Sequence, residues 1–149
     1  MNERKDEARL AALMDEALSV GLELKRYTEE SFPAFQEDDE KKIAEILAAR
    51  EKLIRRLADL EKEIGLISRS LEGGPPEESQ MPGFFEKRRR LRLLLDSVME
   101  TDEQAKTLLE KKIRDYRAKT ISARNKKHIS AYMESAVPDE PDSMIDYVN

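Results

Sequence analysis

The sequence contains no cysteine, no tryptophan and a single histidine, His128. Without thiols it can build neither a disulfide framework nor a thiolate metal site. With one imidazole it lacks the parts for a histidine-based metal centre or a Ser-His triad. Aromatic residues make up only 5% of the chain, too few for the core of a sandwich or barrel. No apolar run approaches the ~20 residues that a membrane-spanning helix needs. The first residues, Met-Asn-Glu-Arg-Lys-Asp-Glu, lead into an amphipathic pattern rather than the apolar core of a signal peptide, so a cytoplasmic location is expected. What the chain has instead is charge: 40% of its 149 residues are Asp, Glu, Lys or Arg, with a net charge of −5. That composition suits long exposed helices joined by narrow apolar seams, and an acidic balance argues against general affinity for nucleic acid.

The clearest periodic signal spans residues 39–72. A heptad with Ile43 at its first position places Ile43, Arg50, Leu57, Ile64 and Leu71 at a, and Ile46, Leu53, Leu60 and Ile67 at d. Arg50 alone interrupts the stripe. Leu47 and Ile54 widen it, as expected for a helix packed against two neighbours. Before it, residues 3–37 read as a first helix, with Leu10, Leu13, Met14, Ala17, Leu18, Gly21, Leu24 and Tyr27 at three- and four-residue steps. Gly21 either permits a close helix crossing or is merely tolerated. Pro33 predicts a kink or an early end near Ser31, with Phe32 and Phe35 closing that end of the core. The acidic turn at 36–39 supplies aspartates that can cap the next helix, and its shortness forces the two helices to pack antiparallel.

The second helix stops at Gly73-Gly74-Pro75-Pro76, and residues 73–83 read as a loop with too few amide donors to cradle a phosphate. Residues 84–134 read as one long third helix, although Thr101-Asp102-Glu103-Gln104 has the pattern of a capping box and offers a break there as the alternative. At ~1.5 Å per residue, that helix is longer than its neighbours by about the length of residues 116–134, where a working surface is expected. Residues 1–135 are thus predicted to form an all-α, antiparallel three-helix bundle or coiled coil. Residues 136–149 form an acidic tail expected to be flexible, with Met144, Ile145, Tyr147 and Val148 as an apolar patch suited to docking.

Arg50 and Asp102 each interrupt an apolar seam. In a hairpin closed by residues 73–83 they fall at matching heights, which predicts an interhelical ion pair that sets register; the alternative is that both reach out to solvent. Residues 111–128 hold eight Lys or Arg against one Asp. This stretch reads first as a solvated face or a partner for the acidic tail, then as a site for an acidic protein, and last as a nucleic-acid site. A second basic run at 87–92 reads as a charged helix face, and His128 as exposed. No nucleophile elbow, paired-carboxylate cleft or di-iron pattern is visible, so the expectation is a protein without catalysis, metal or other cofactor.

Three stretches in succession carry a resemblance. Residues 37–54 join an acidic turn to an apolar helix and an Arg-Glu-x-Leu-Ile unit; residues 98–109 read Val-Met-Glu-Thr-Asp-Glu-Gln-Ala-Lys-Thr-Leu-Leu; residues 125–132 read Asn-Lys-Lys-His-Ile-Ser-Ala-Tyr and are followed by Ser-Met-Ile-Asp-Tyr at 143–147. This order resembles the flagellar type III export chaperones of the FlgN and FliT kind over roughly residues 8–147. The resemblance implies a small cytoplasmic helical chaperone that holds the C-terminal amphipathic segment of a hook-associated or filament-cap protein and passes it to the export apparatus. It also implies that the C-terminal half contacts the client. The corresponding apolar contacts are Ile113, Tyr116, Ile121, Ile129 and Tyr132, with Ile145 and Tyr147 of the tail competing or docking alongside. The basic run at 87–92 and the proline-rich loop are not features the family requires. The rival expectation is a coiled-coil scaffold or adaptor that forms a homodimer through its third helix.

Overall fold

The computed structural model describes residues 2–71 and 73–134, with only the backbone of residues 2, 3 and 132–134. These residues form three helices and no strand: α1 (Asn2–Gln36), α2 (Glu40–Ser70) and α3 (Pro82–Glu134). The chain divides into two compact units, Met1–Lys106 and Thr107–Asn149, with the division inside α3. The predicted tail at 136–149, with its apolar patch, lies outside the described residues.

The first unit is built on the heptad stripe. Ile46, Leu57, Leu60, Ile64 and Leu71 are buried, while Ile43, Leu53 and Ile67 are half-buried. Leu57, Leu60, Ile64 and Leu71 meet Leu10, Leu13, Met14, Ala17 and Leu18 of α1 and Phe84 and Leu91 of α3 in one apolar cluster, with Ile67 packed against it. Each fully buried leucine contributes about 1.5–3 kcal/mol relative to an exposed one. Ion pairs border these seams. Arg9 bonds Glu63 (2.6 Å) and Arg56 bonds Glu16, so α1 and α2 run antiparallel. Arg50 bonds Asp102 (2.7 Å) and Arg88 approaches Glu61 (3.4 Å), so α2 and α3 do as well. Lys87 reaches Asp15, which leaves α1 and α3 parallel. Leu47 and Ile54 are exposed, contrary to the widened stripe expected from the pattern. Arg50 is instead the largely enclosed member of the salt-bridging arginines of α2, its side chain 13% exposed.

Gly21 is buried where α1 crosses α3. A Cβ added there would lie 2.7 Å from Leu91 Cδ1, so the missing side chain is what permits the approach. α1 does not end near Ser31. It runs through Pro33 to Gln36. Proline removes a single amide donor here, one turn from the end of the helix, and both Pro33 and Glu29 face solvent, where water can serve the carbonyl left without a donor. Thr28 and Ser31 are buried polar residues, and they satisfy themselves on their own helix: Thr28 Oγ1 donates to Leu24 O (2.7 Å) and Ser31 Oγ to Thr28 O (2.6 Å).

The turn to α2 is closed at both ends. Asp38 adopts a left-handed backbone (φ 55°), Asp39 N donates to Ala34 O and Asp38 N to Phe35 O, the paired bonds of a Schellman ending. Asp39 then caps α2, its carboxylate accepting from Lys42 N (3.1 Å). At the other end α2 stops with Leu71 in extended conformation, followed by Gly73 (φ 83°) and Gly74 (φ 86°), values that L side chains rarely adopt. α3 begins two residues earlier than the pattern predicts because Pro82 occupies its first turn, where no amide donor is needed. It continues through residues 101–104 without a break, so the capping-box pattern there goes unused.

Candidate functional site

In the first unit, the basic run at 87–92 is largely consumed by the fold. Lys87 is held by Asp15, Arg88 by Glu61, and Arg89 by both Glu78 and Glu86. The hydrogen bond and charge of Glu78, followed by those of Glu86, raise the Arg89 pKa above its ordinary value, and Glu16 does the same for Arg56. Arg50 and Asp102 are brought together. The Arg50 side chain is 13% exposed and that of Asp102 41%, while Arg50 Nε is buried with no hydrogen-bond partner. The pair thus joins a nearly enclosed cation to a carboxylate that still touches water.

Two features of this unit had no signal in the periodicity. A cleft of about 270 Å³ is lined by Ile64, Gly65, Pro75, Phe84 and Phe85, with Arg69 and Arg88 also among its lining residues. The rings of Phe84 and Phe85 meet edge to face, 5.5 Å apart. A shallower groove of about 240 Å³ lies between α1 and α3, lined by Leu22, Leu93 and Leu94 with Lys25 and Arg90 beside them. The two adjacent phenylalanines after a Pro-rich loop were the available clue to the cleft. Leu22 and Leu93, off the main stripes, were the clue to the groove.

The second unit carries the residues singled out from the sequence. Ile113, Tyr116, Ile121 and Ile129 are 51 to 72% exposed, while Leu108 and Leu109 are half-buried. Helical geometry sorts the exposed set into two groups. At about 100° per residue, Ile113 and Tyr116 share a face with Leu109 and Thr120, whereas Ile121 and Ile129 share another with Ala118 and Asn125, about 150° away. The expected contacts therefore do not form a single stripe. Tyr132 lies within α3, but its side chain, like Ile145 and Tyr147, lies outside the described residues. Thr120 turns its hydroxyl back onto Tyr116 O (2.9 Å), which leaves the first face more apolar than its composition suggests. His128, expected to be exposed, is half-buried, and both it and Lys112 have interaction partners.

Among the described residues no group of three His, Asp or Glu side chains is placed to hold a metal ion, and no helix is long and apolar enough to cross a membrane. No family model matches the chain, and neither a curated protein nor a solved structure matches it.

Proposed function

We propose that the protein is a cytoplasmic flagellar export chaperone. It captures the C-terminal amphipathic segment of a hook-associated or filament-cap protein and delivers it for type III secretion. One observation carries this reading: four large apolar side chains, Ile113, Tyr116, Ile121 and Ile129, stand in solvent along the helix of the second unit. Exposed apolar surface at helical spacing is what a helix-in-groove contact covers. Capture needs no cofactor and no bond-making step; it needs an apolar surface on the chaperone and an apolar face on the client. Holding that face keeps the client from aggregating or polymerising before export.

A second reading, a coiled-coil scaffold or adaptor, is favoured by one feature. Leu109, Ile113, Tyr116 and Thr120 recur at steps of four, three and four, the spacing of a two-stranded seam. The two readings differ in what orders the C-terminal residues. A client should order residues 116–147 in the first, whereas an obligate dimer should bury them already in the second. The deciding experiment is calorimetric titration with C-terminal fragments of hook-associated and filament-cap proteins. Saturable binding with a negative heat-capacity change supports apolar capture. Absence of binding to every fragment, together with a stable dimer in solution, gives the scaffold.

A further inference from the structure

The second face of the second unit is bordered by charge of one sign. Between Asp115 and Glu134 the chain has no acidic residue, but it has Arg117, Lys119, Arg124, Lys126 and Lys127. At about 100° per residue, Arg117 and Arg124 lie along one side of the Ala118–Ile121–Asn125–Ile129 stripe, and Lys119 and Lys126 lie along the other. All four of these cations are exposed. The contrast with the other basic run is informative, since three cations of that run are answered by carboxylates of the same unit.

When two helices pack, the charges bordering the seam decide which partner is accepted and in which orientation. Two copies of this helix would set cation against cation whether they ran parallel or antiparallel. An amphipathic helix bordered by Glu or Asp would meet a complementary charge on both sides. Asn125 adds a constraint, since a single amide within an apolar stripe favours one alignment over its slipped versions. We propose that the face formed by residues 117–129 accepts a partner helix whose apolar stripe is flanked by acidic residues, and that it rejects a second copy of this chain. The proposal rests on the capture role above and specifies the chemistry of the captured segment.

The test uses the full chain and two synthetic amphipathic helices of roughly 20 residues. They share one Ile/Leu stripe and differ only in flanking residues, Glu in one and Lys in the other. At low salt the Glu-flanked helix should bind at least about tenfold tighter, and the gap should narrow as salt rises. The variant Arg117→Glu/Lys119→Glu/Arg124→Glu/Lys126→Glu should reverse the preference, with far-ultraviolet circular dichroism confirming unchanged helix content. Equal affinity for the two helices, no binding of the Glu-flanked helix, or a preference that survives the fourfold variant overturns the proposal. So does a homodimer that Ile121→Asp/Ile129→Asp dissolves, or binding to phosphatidylglycerol vesicles in place of the Glu-flanked helix. Failure here is separable from failure of the chaperone reading. Flagellar fragments that bind the parent and the fourfold variant equally well would remove the charge rule and leave capture standing. A Glu-flanked helix that binds where no flagellar fragment does would leave the charge rule and remove the flagellar assignment.

Discussion

Removing one partner of the Arg50–Asp102 pair should cost very different amounts depending on which partner is removed. Charges about 4 Å apart attract by roughly 4 kcal/mol at an effective dielectric constant near 20, but enclosing the guanidinium gives up much of that gain. Asp102→Ala strands a cation that is 13% exposed and whose Nε already lacks a partner. Breaking a fully buried pair costs about 3–5 kcal/mol; the contact with water on the Asp102 side lowers the expected loss here to about 1–3 kcal/mol. Arg50→Met leaves behind a carboxylate that is 41% exposed and can be hydrated, and it replaces the arginine stem with apolar atoms of similar reach. Its expected effect is within about 1 kcal/mol of zero. The double variant should recover most of what Asp102→Ala loses. Urea unfolding followed by circular dichroism at 222 nm gives all four corners of the cycle. If Arg50→Met is as damaging as Asp102→Ala, or the double variant is weaker than both, then enclosure of the cation is not what makes this pair matter.

Three further outcomes are expected. Two mid-helix glycines should respond oppositely to a larger residue. Gly21→Leu should destabilise by at least about 1–3 kcal/mol, because even its Cβ meets Leu91, whereas Gly65→Ala should stabilise by up to about 1 kcal/mol, since its nearest neighbour is Arg69 Nη2 at 3.8 Å; thermal melts of both variants check the signs. Asp39→Ala should cost about 1 kcal/mol through the lost cap on Lys42 N, visible as a lower urea midpoint with an unchanged slope. Truncation after Glu134 should tighten binding of a client fragment if the acidic tail occupies the capture surface, and equal calorimetric affinities with and without the tail would reject that mechanism.

The fold was readable wherever one physical rule dominated. The stripe from Ile43 to Leu71 defined α2 because a three-four repeat buries one face of a helix whatever its neighbours are. The meeting of Arg50 and Asp102 followed from hairpin geometry, since two seam interruptions at matching heights are brought face to face. Other features depended on surroundings that a single sequence does not display. Pro33 reads as a kink or an early helix end, yet α1 runs on to Gln36, because the loss of one bond near a solvent-facing end is tolerable. Leu47 and Ile54 look like core by spacing, but both are left exposed, since coverage depends on where the neighbouring helices lie. Gly21 and Gly65 occupy similar amphipathic settings, and only the position of Leu91 tells them apart. At the candidate site, the exposed residues were identifiable by type. Their separation into two faces required counting angle along the helix instead of collecting the apolar residues of the stretch together.

Two ion pairs joining α1 to α2 have opposite polarity. Arg9 of α1 points to Glu63, and two turns further on Glu16 of α1 points to Arg56. Leucines and isoleucines a heptad apart are nearly interchangeable, so apolar burial alone scarcely distinguishes the native hairpin from one shifted by seven residues. Such a shift would set Glu16 against Glu63 in one direction and Arg9 against Arg56 in the other. Each mismatch exchanges a weak attraction for a repulsion of about 0.2–0.5 kcal/mol, small against the total stability but present only in the wrong alignments. Surface charges that add little to the depth of the native well therefore raise the floor of its nearest competitors, and the hairpin can find one alignment from a repetitive sequence.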